Sequence, residues 1–155
     1  MQSASPSDPR SRPREAAERP QSFTHPATVR YAETDQMGVC HHANFLLYLE
    51  DARTAMMAAR AVPYGELEKT GIGLPVRQVQ VRYKSPAFYE DRLLVEVWIE
   101  RMRSASVTFG YEIRREDKEA VTVLATAEIE LACMDMATRR PRIFPKELRA
   151  AFSAD

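Results

Sequence analysis

Residues 42–61 read HANFLLYLEDARTAMMAARA. Phe45, Leu46, Leu49, Ala52, Met56 and Ala59 recur at spacings of three and four, the period of an α-helix. Leu47, Tyr48 and Met57 widen that stripe until the first turns are apolar over most of their circumference. Such a helix is buried on several sides. Asn44 or a neighbouring histidine is placed to cap its start, and Pro63 and Gly65 follow its end.

Downstream of Gly73 the period changes to two. Val79, Val81 and Tyr83 alternate with polar residues, as do Leu93, Val95, Val97 and Ile99. Ala105, Val107, Phe109, Tyr111 and Ile113 form a third series, and Val121 to Cys133 the longest. Alternation of this kind gives each strand one buried and one wet face. Short connections such as 114–120 (RREDKEA) imply antiparallel neighbours. Upstream of the helix, 27–32 (ATVRYA) is β-compatible and 33–41 is a connection bending at Gly38. Residues 145–152 form a short closing helix begun by Pro145. The pattern is strand, buried helix, four strands. A flat sheet covers only one side of a helix, so the class expected is α+β, with a curved five-stranded antiparallel sheet wrapped around one long central helix.

The totals narrow the functions. The 155 residues suit one domain, with 45% hydrophobic and 28% charged residues. The zero formal net charge gives no reason to expect a nucleic-acid partner. No run approaches the roughly 18 apolar residues of a membrane span, and the N-terminus lacks a signal-peptide core. No membrane partner and a cytoplasmic location are therefore expected. Cys40 and Cys133 form no CxxC and read as reduced, buried thiols. Residues 1–26 carry five of the ten prolines and four arginines, and are expected to form a disordered tail before a single domain over 27–155.

Chemistry-bearing residues gather where the first strand meets the helix: Tyr31, Glu33, Thr34, Asp35, His41, His42 and Asn44. A helix N-terminus offers unpaired N–H groups to an oxyanion. A nearby carboxylate can act as base or nucleophile. Seven residues separate Asp35 from His42, and a folded-back loop brings them to one site. The structural reading stands beside this one: Thr34 and Asp35 as turn formers, Asn44 as a cap. The histidine pair has no second pair at metal spacing, so no metal is expected. There is no GxSxG elbow and no glycine-rich phosphate loop.

The stretch RYAETDQMGVCHHANFLLYLEDAR (30–53) resembles the signature of the 4-hydroxybenzoyl-CoA thioesterase family, especially its bacterial acyl-CoA thioesterase branch. Tyr31, Asp35, Gly38, His42, Ala43, Asn44 and Phe45 carry the resemblance, which extends over residues 27–152. It implies a hotdog fold and hydrolysis of an acyl-CoA to free acid and coenzyme A, with no cofactor. It implies Asp35 as catalytic carboxylate, either attacking the thioester or activating water. It implies His42 at the helix start, its N–H facing the thioester oxygen, with Tyr31 as auxiliary. Substrate contacts are expected from Asn44 and, toward the coenzyme A phosphates, from Arg101, Arg103 and Ser104. A homodimer or homotetramer with active sites at the subunit interface is also implied. Two alternatives stay open: release of an acyl or polyketide chain from a carrier protein, and acyl-CoA binding without turnover. Glu50 and Arg53 read as a pair within the helix, and Trp98 as a wet-face aromatic available to an oligomer contact.

Overall fold

The chain enters its sheet earlier than the pattern suggests. The computed structural model describes Arg19, residues 21–118 and residues 120–153. Its first strand, β1, spans Phe23–Thr28, so the expected boundary at residue 26 falls inside a strand. Residues 1–18 and 20 of the expected tail lie outside the described residues. Pro26 is tolerated because β1 is an edge strand, with only one neighbour to bond. The chain then leaves the sheet. Arg30 gives its N–H to the Glu33 carboxylate at 2.9 Å, and Thr34 Oγ1 donates to the Tyr31 carbonyl at 2.7 Å. These local bonds convert Tyr31–Glu33 into a 3-10 turn where a strand end was expected.

The long helix, α1, spans Asn44–Ala59. A short helix α2 (Tyr64–Lys69) and strand β2 (Ile72–Gly73) follow. Next come β3 (Val76–Tyr83), β4 (Arg92–Met102), β5 (Ser106–Glu116) and β6 (Val121–Ala132). The short strands β7 (Met134–Asp135) and β8 (Arg140–Pro141) lead to α3 (Lys146–Ser153). The main sheet has the order β1-β4-β5-β6-β3, with every neighbouring pair antiparallel. The minor sheet β2-β7-β8 and helix α2 were not foreseen in the sequence; their strands are two residues each, too short for a period.

Phe45, Leu49, Ala52 and Met56 of α1 share one buried core with Val95, Val97, Phe109, Tyr111, Ile113 and Leu131 of the sheet. Each large aliphatic side chain so buried contributes about 1.5–3 kcal/mol. The alternation in β6 is broken once. Register slips between Ile113 and Arg114, so Leu124 has no partner on β5 and is buried together with Ala125. Its carbonyl instead accepts the N–H groups of Lys84 and Ser85. Bulges of this type bend a sheet, and others lie in β3 and β4.

One strand departs from its period. Alternation in β3 predicts a buried face, yet the strand is exposed along its length and only Val81 is half-buried. Val79 keeps 42% of its surface and Val76 52%. The cause is cover: α1 packs against β1 and β4, at the other side of the sheet, and β3 is the outer strand farthest from it.

Candidate active site

The loop between the 3-10 turn and α1 is folded by its own backbone. Thr34 bridges Cys40, and the Asp35 N–H donates to the Val39 carbonyl at 2.8 Å. Gly38 closes the turn at φ +78°, a left-handed conformation that suits glycine. The Cys40 N–H donates to the Ala87 carbonyl at 2.7 Å, tying the loop to the segment after β3. Asp35 is a turn former here: its Oδ1 accepts the Met37 N–H at 2.8 Å and the Val39 N–H at 3.4 Å. Among the described residues Oδ2 has no such partner.

This folding brings Asp35 and His42 to one open depression of about 350 Å³, with Cys40, Phe45, Tyr83 and Lys84 also in its wall. The Tyr83 hydroxyl donates to the His42 carbonyl at 2.9 Å, and its ring stands edge-on to Phe45. Tyr83 lines the candidate site, yet sequence reading did not single it out, because it lies 41 residues from His42 and reads there as a strand residue. The His42 backbone N–H meets no acceptor among the described residues. That leaves one free donor at the entrance to α1, where the helix dipole is positive.

Asn44 does not cap α1. It is the first helical residue, and its Nδ2 donates to the Glu33 carbonyl at 2.9 Å. No histidine caps α1 either: the N-cap is Ala43, with no side-chain cap, and His41 Nδ1 accepts the Ala43 N–H at 3.2 Å just ahead of the helix. Asn44 thus braces the loop rather than facing the depression.

Tyr31 stands apart, 78% exposed and edge-on to Tyr89. Arg101, Arg103 and Ser104 lie at the β4–β5 hairpin, where Arg103 N–H donates to Ser106 O and Ser104 O accepts the Phe144 N–H. Tyr83, Ala125 and Ile113 mark one row of the sheet. Ser106 is seven residues along β5 from that row, about 24 Å at the rise of a strand. Within one chain these three residues do not meet Asp35. A larger cavity, about 640 Å³ between the end of α1, α2 and α3, contains none of the candidate residues. Size alone therefore does not locate the site.

Glu33 is buried, accepts Tyr48 Oη at 2.5 Å, and pairs with the Arg30 guanidinium at 2.7 Å. Burial acts to raise its carboxyl, but its donors outweigh burial and hold it below the ordinary value. Burial pushes the Cys40 thiol up, as fits the inert thiol expected. No group of three or more metal-ligating side chains is found among the described residues, and no helix there is long and apolar enough to cross a membrane.

Fold and site together define a class: a single helix on a five-stranded antiparallel sheet, with an acid and a histidine at the helix entrance. Residues 29–152 match the thioesterase-like superfamily, and the chain belongs to it. It is 32% identical over 130 residues to the Escherichia coli acyl-CoA thioester hydrolase YbgC, covering 84% of this chain and 95% of that protein. The Haemophilus influenzae acyl-CoA thioesterase YbgC is 31% identical over 133 residues, covering 84% and 93%. Among solved structures, a DHNA-CoA thioesterase from Staphylococcus aureus superposes with a TM-score of 0.79 at 30% identity, over 85% of this chain and 89% of that one. The hotdog architecture expected from the sequence is thus the one observed.

Proposed function

We propose that this chain hydrolyses acyl-coenzyme A thioesters, with Asp35 as the catalytic carboxylate. The observation that carries this reading is the shared depression of Asp35 and His42 at the entrance to α1. The names of the relatives that match most of the chain support it.

Asp35 Oδ1 is held by two backbone donors, which leaves Oδ2 to act. In one form Oδ2 takes a proton from water while the water oxygen bonds to the thioester carbon. In the other, Oδ2 itself bonds to that carbon, and water later cleaves the anhydride. Either way the carbonyl oxygen gains charge, then the C–S bond breaks and the thiolate leaves to take up a proton. The free N–H of His42 and the helix dipole supply a preorganised partner for that oxygen. The His42 ring, held edge-on to Tyr83, assists.

The unpaired edge of β3 supports a two-fold dimer. Pairing two copies of β3 antiparallel extends the sheet and covers Val76 and Val79. It also sets the Tyr83 end of one copy beside the Val76 end of the other. Val76 shares a row with Leu131 and Val107, next to the β4–β5 hairpin. In the dimer the partner's Arg101, Arg103 and Ser104 thus approach the end of the sheet that holds Asp35. Cations there suit the phosphates of coenzyme A.

The test is free-thiol release from short-chain, long-chain and aromatic acyl-CoAs by the wild type and Asp35→Asn. Loss of the base should cost on the order of 10²–10⁴-fold in rate. Equal rates in the two proteins remove Asp35 from the mechanism. Binding of acyl-CoA without turnover by the wild type returns the protein to a binding role.

A further inference from the structure

The catalytic loop is held from behind by a buried polar cluster, and Glu33 is its centre. Its carbonyl accepts the His41 N–H at 2.8 Å and Asn44 Nδ2 at 2.9 Å, both from the helix side of the loop. Its carboxylate accepts the Arg30 N–H and Arg30 Nε, each at 2.9 Å, from the side before the loop. Tyr48, in the second turn of α1, donates its hydroxyl to the same carboxylate, and that hydroxyl lies 3.5 Å from Cys40 Sγ. Cys40 in turn bridges Thr34, the neighbour of Asp35. Strand entry, loop and helix entrance therefore converge on one carboxylate–phenol pair. Glu33 is 5% exposed and Tyr48 4%, and neither lines the depression that holds Asp35 and His42.

We infer that Glu33 and Tyr48 are positioning residues. Through the 34–40 loop they set the Asp35 carboxylate relative to the N–H groups at the start of α1. The inference rests on the reading of Asp35 as the catalytic carboxylate. Loss of either contact lets the carboxylate drift from the helix entrance while the walls of the substrate depression stay intact. Misplacement by about 1 Å costs a reaction of this kind on the order of 10²-fold. The effect falls on kcat rather than on KM, since neither side chain reaches the substrate.

The experiment uses the full chain and compares the wild type, Tyr48→Phe, Glu33→Gln and Asp35→Asn with hexanoyl-CoA and benzoyl-CoA, alongside thermal unfolding. Tyr48→Phe keeps the ring and removes one hydroxyl. The expected result is a folded protein whose kcat is reduced roughly ten- to a hundredfold with KM within about twofold. Adding Tyr48→Phe to Asp35→Asn should cost nothing further, because the hydroxyl acts only through Asp35. A folded Tyr48→Phe with wild-type kcat overturns the inference while leaving Asp35 in place. So does an additive loss in the double variant. If Tyr48→Phe does not fold, Glu33→Gln decides by the same criteria. If both unfold, the cluster is structural only and the inference fails. A fully active Asp35→Asn, or a wild type inactive on both substrates, sinks the underlying reading and the inference with it.

Discussion

Asp35 performs the turn-forming task that its residue type predicts, yet this does not compete with a chemical role. The turn uses one oxygen of the carboxylate and orients the other. Glu33, two residues earlier, is spent on structure: its hydrogen bonds tie the segment before the loop to the loop's end and to α1. Its ionisation is therefore linked to stability. The folded carboxyl lies below its ordinary value of 4.5, so its contribution is present above that value and is lost as pH falls through the folded one. We predict that the difference in unfolding temperature between wild type and Glu33→Gln is largest near neutrality. It should shrink steadily in melts recorded down to about pH 3. A pH-independent difference would mean that folding does not shift the Glu33 carboxyl. Arg53 on α1 is the other buried charge among the described residues, 3.9 Å from Glu50 and 3.4 Å from the Tyr111 hydroxyl. The Glu50–Arg53 spacing announced the first contact; nothing in the sequence announced the second, which spans 58 residues.

Trp98 shows how a strand's outer face is built. Its indole lies over Gly110 of the neighbouring strand, where an added Cβ would collide with the ring. Glycine inside a strand is otherwise unfavourable, and close approach of a neighbour explains it. Trp98 Nε1 donates to Glu100 at 2.6 Å, and the Arg19 guanidinium stacks 4.1 Å from the ring while pairing with Glu96 and Glu112. The aromatic expected to be open to a partner is thus partly covered by the Arg19 guanidinium. Gly110→Ala must displace the indole. We predict a loss of about 1–3 kcal/mol, as overpacking costs elsewhere. It should appear in urea unfolding, with a shift in the emission of this single tryptophan. Unchanged stability and emission would show that the ring has room to move.

Beside Val76 and Val79 of β3, Leu46 and Leu47 of α1 also keep 38% and 51% of their surface. Pairing of two copies along β3 predicts that Val79→Lys, which sets a charge on that edge, shifts the protein from dimer to monomer. Turnover should fall with it, because the hairpin cations are then withdrawn from the site. Sedimentation analysis and thiol release on the same samples check both. A monomeric wild type, or a Val79→Lys that remains dimeric and active, rules out this edge as the interface.

Local periodicity was sufficient for α1 and the four long strands after it. The apolar stripe of residues 42–61 and the period-two runs after Gly73 are set by which side chains must leave water, and the antiparallel sheet on one helix follows from them. The spacing from Asp35 to His42, with Gly38 between, left a turn-forming and a chemical reading side by side, and the catalytic expectation came from the resemblance of residues 30–53 to a thioesterase signature. Tertiary structure alone decided the rest. It ended β1 at Thr28, because a carboxylate three residues ahead captures the Arg30 N–H. It left β3 exposed, because period two reports that a face is apolar and not what covers it. It brought Tyr83 to His42 and Tyr48 to Glu33 across 41 and 15 residues. It also put the 101–104 hairpin at the far end of the sheet from Asp35. Contacts between distant residues depend on register and packing, and one-dimensional patterns carry neither.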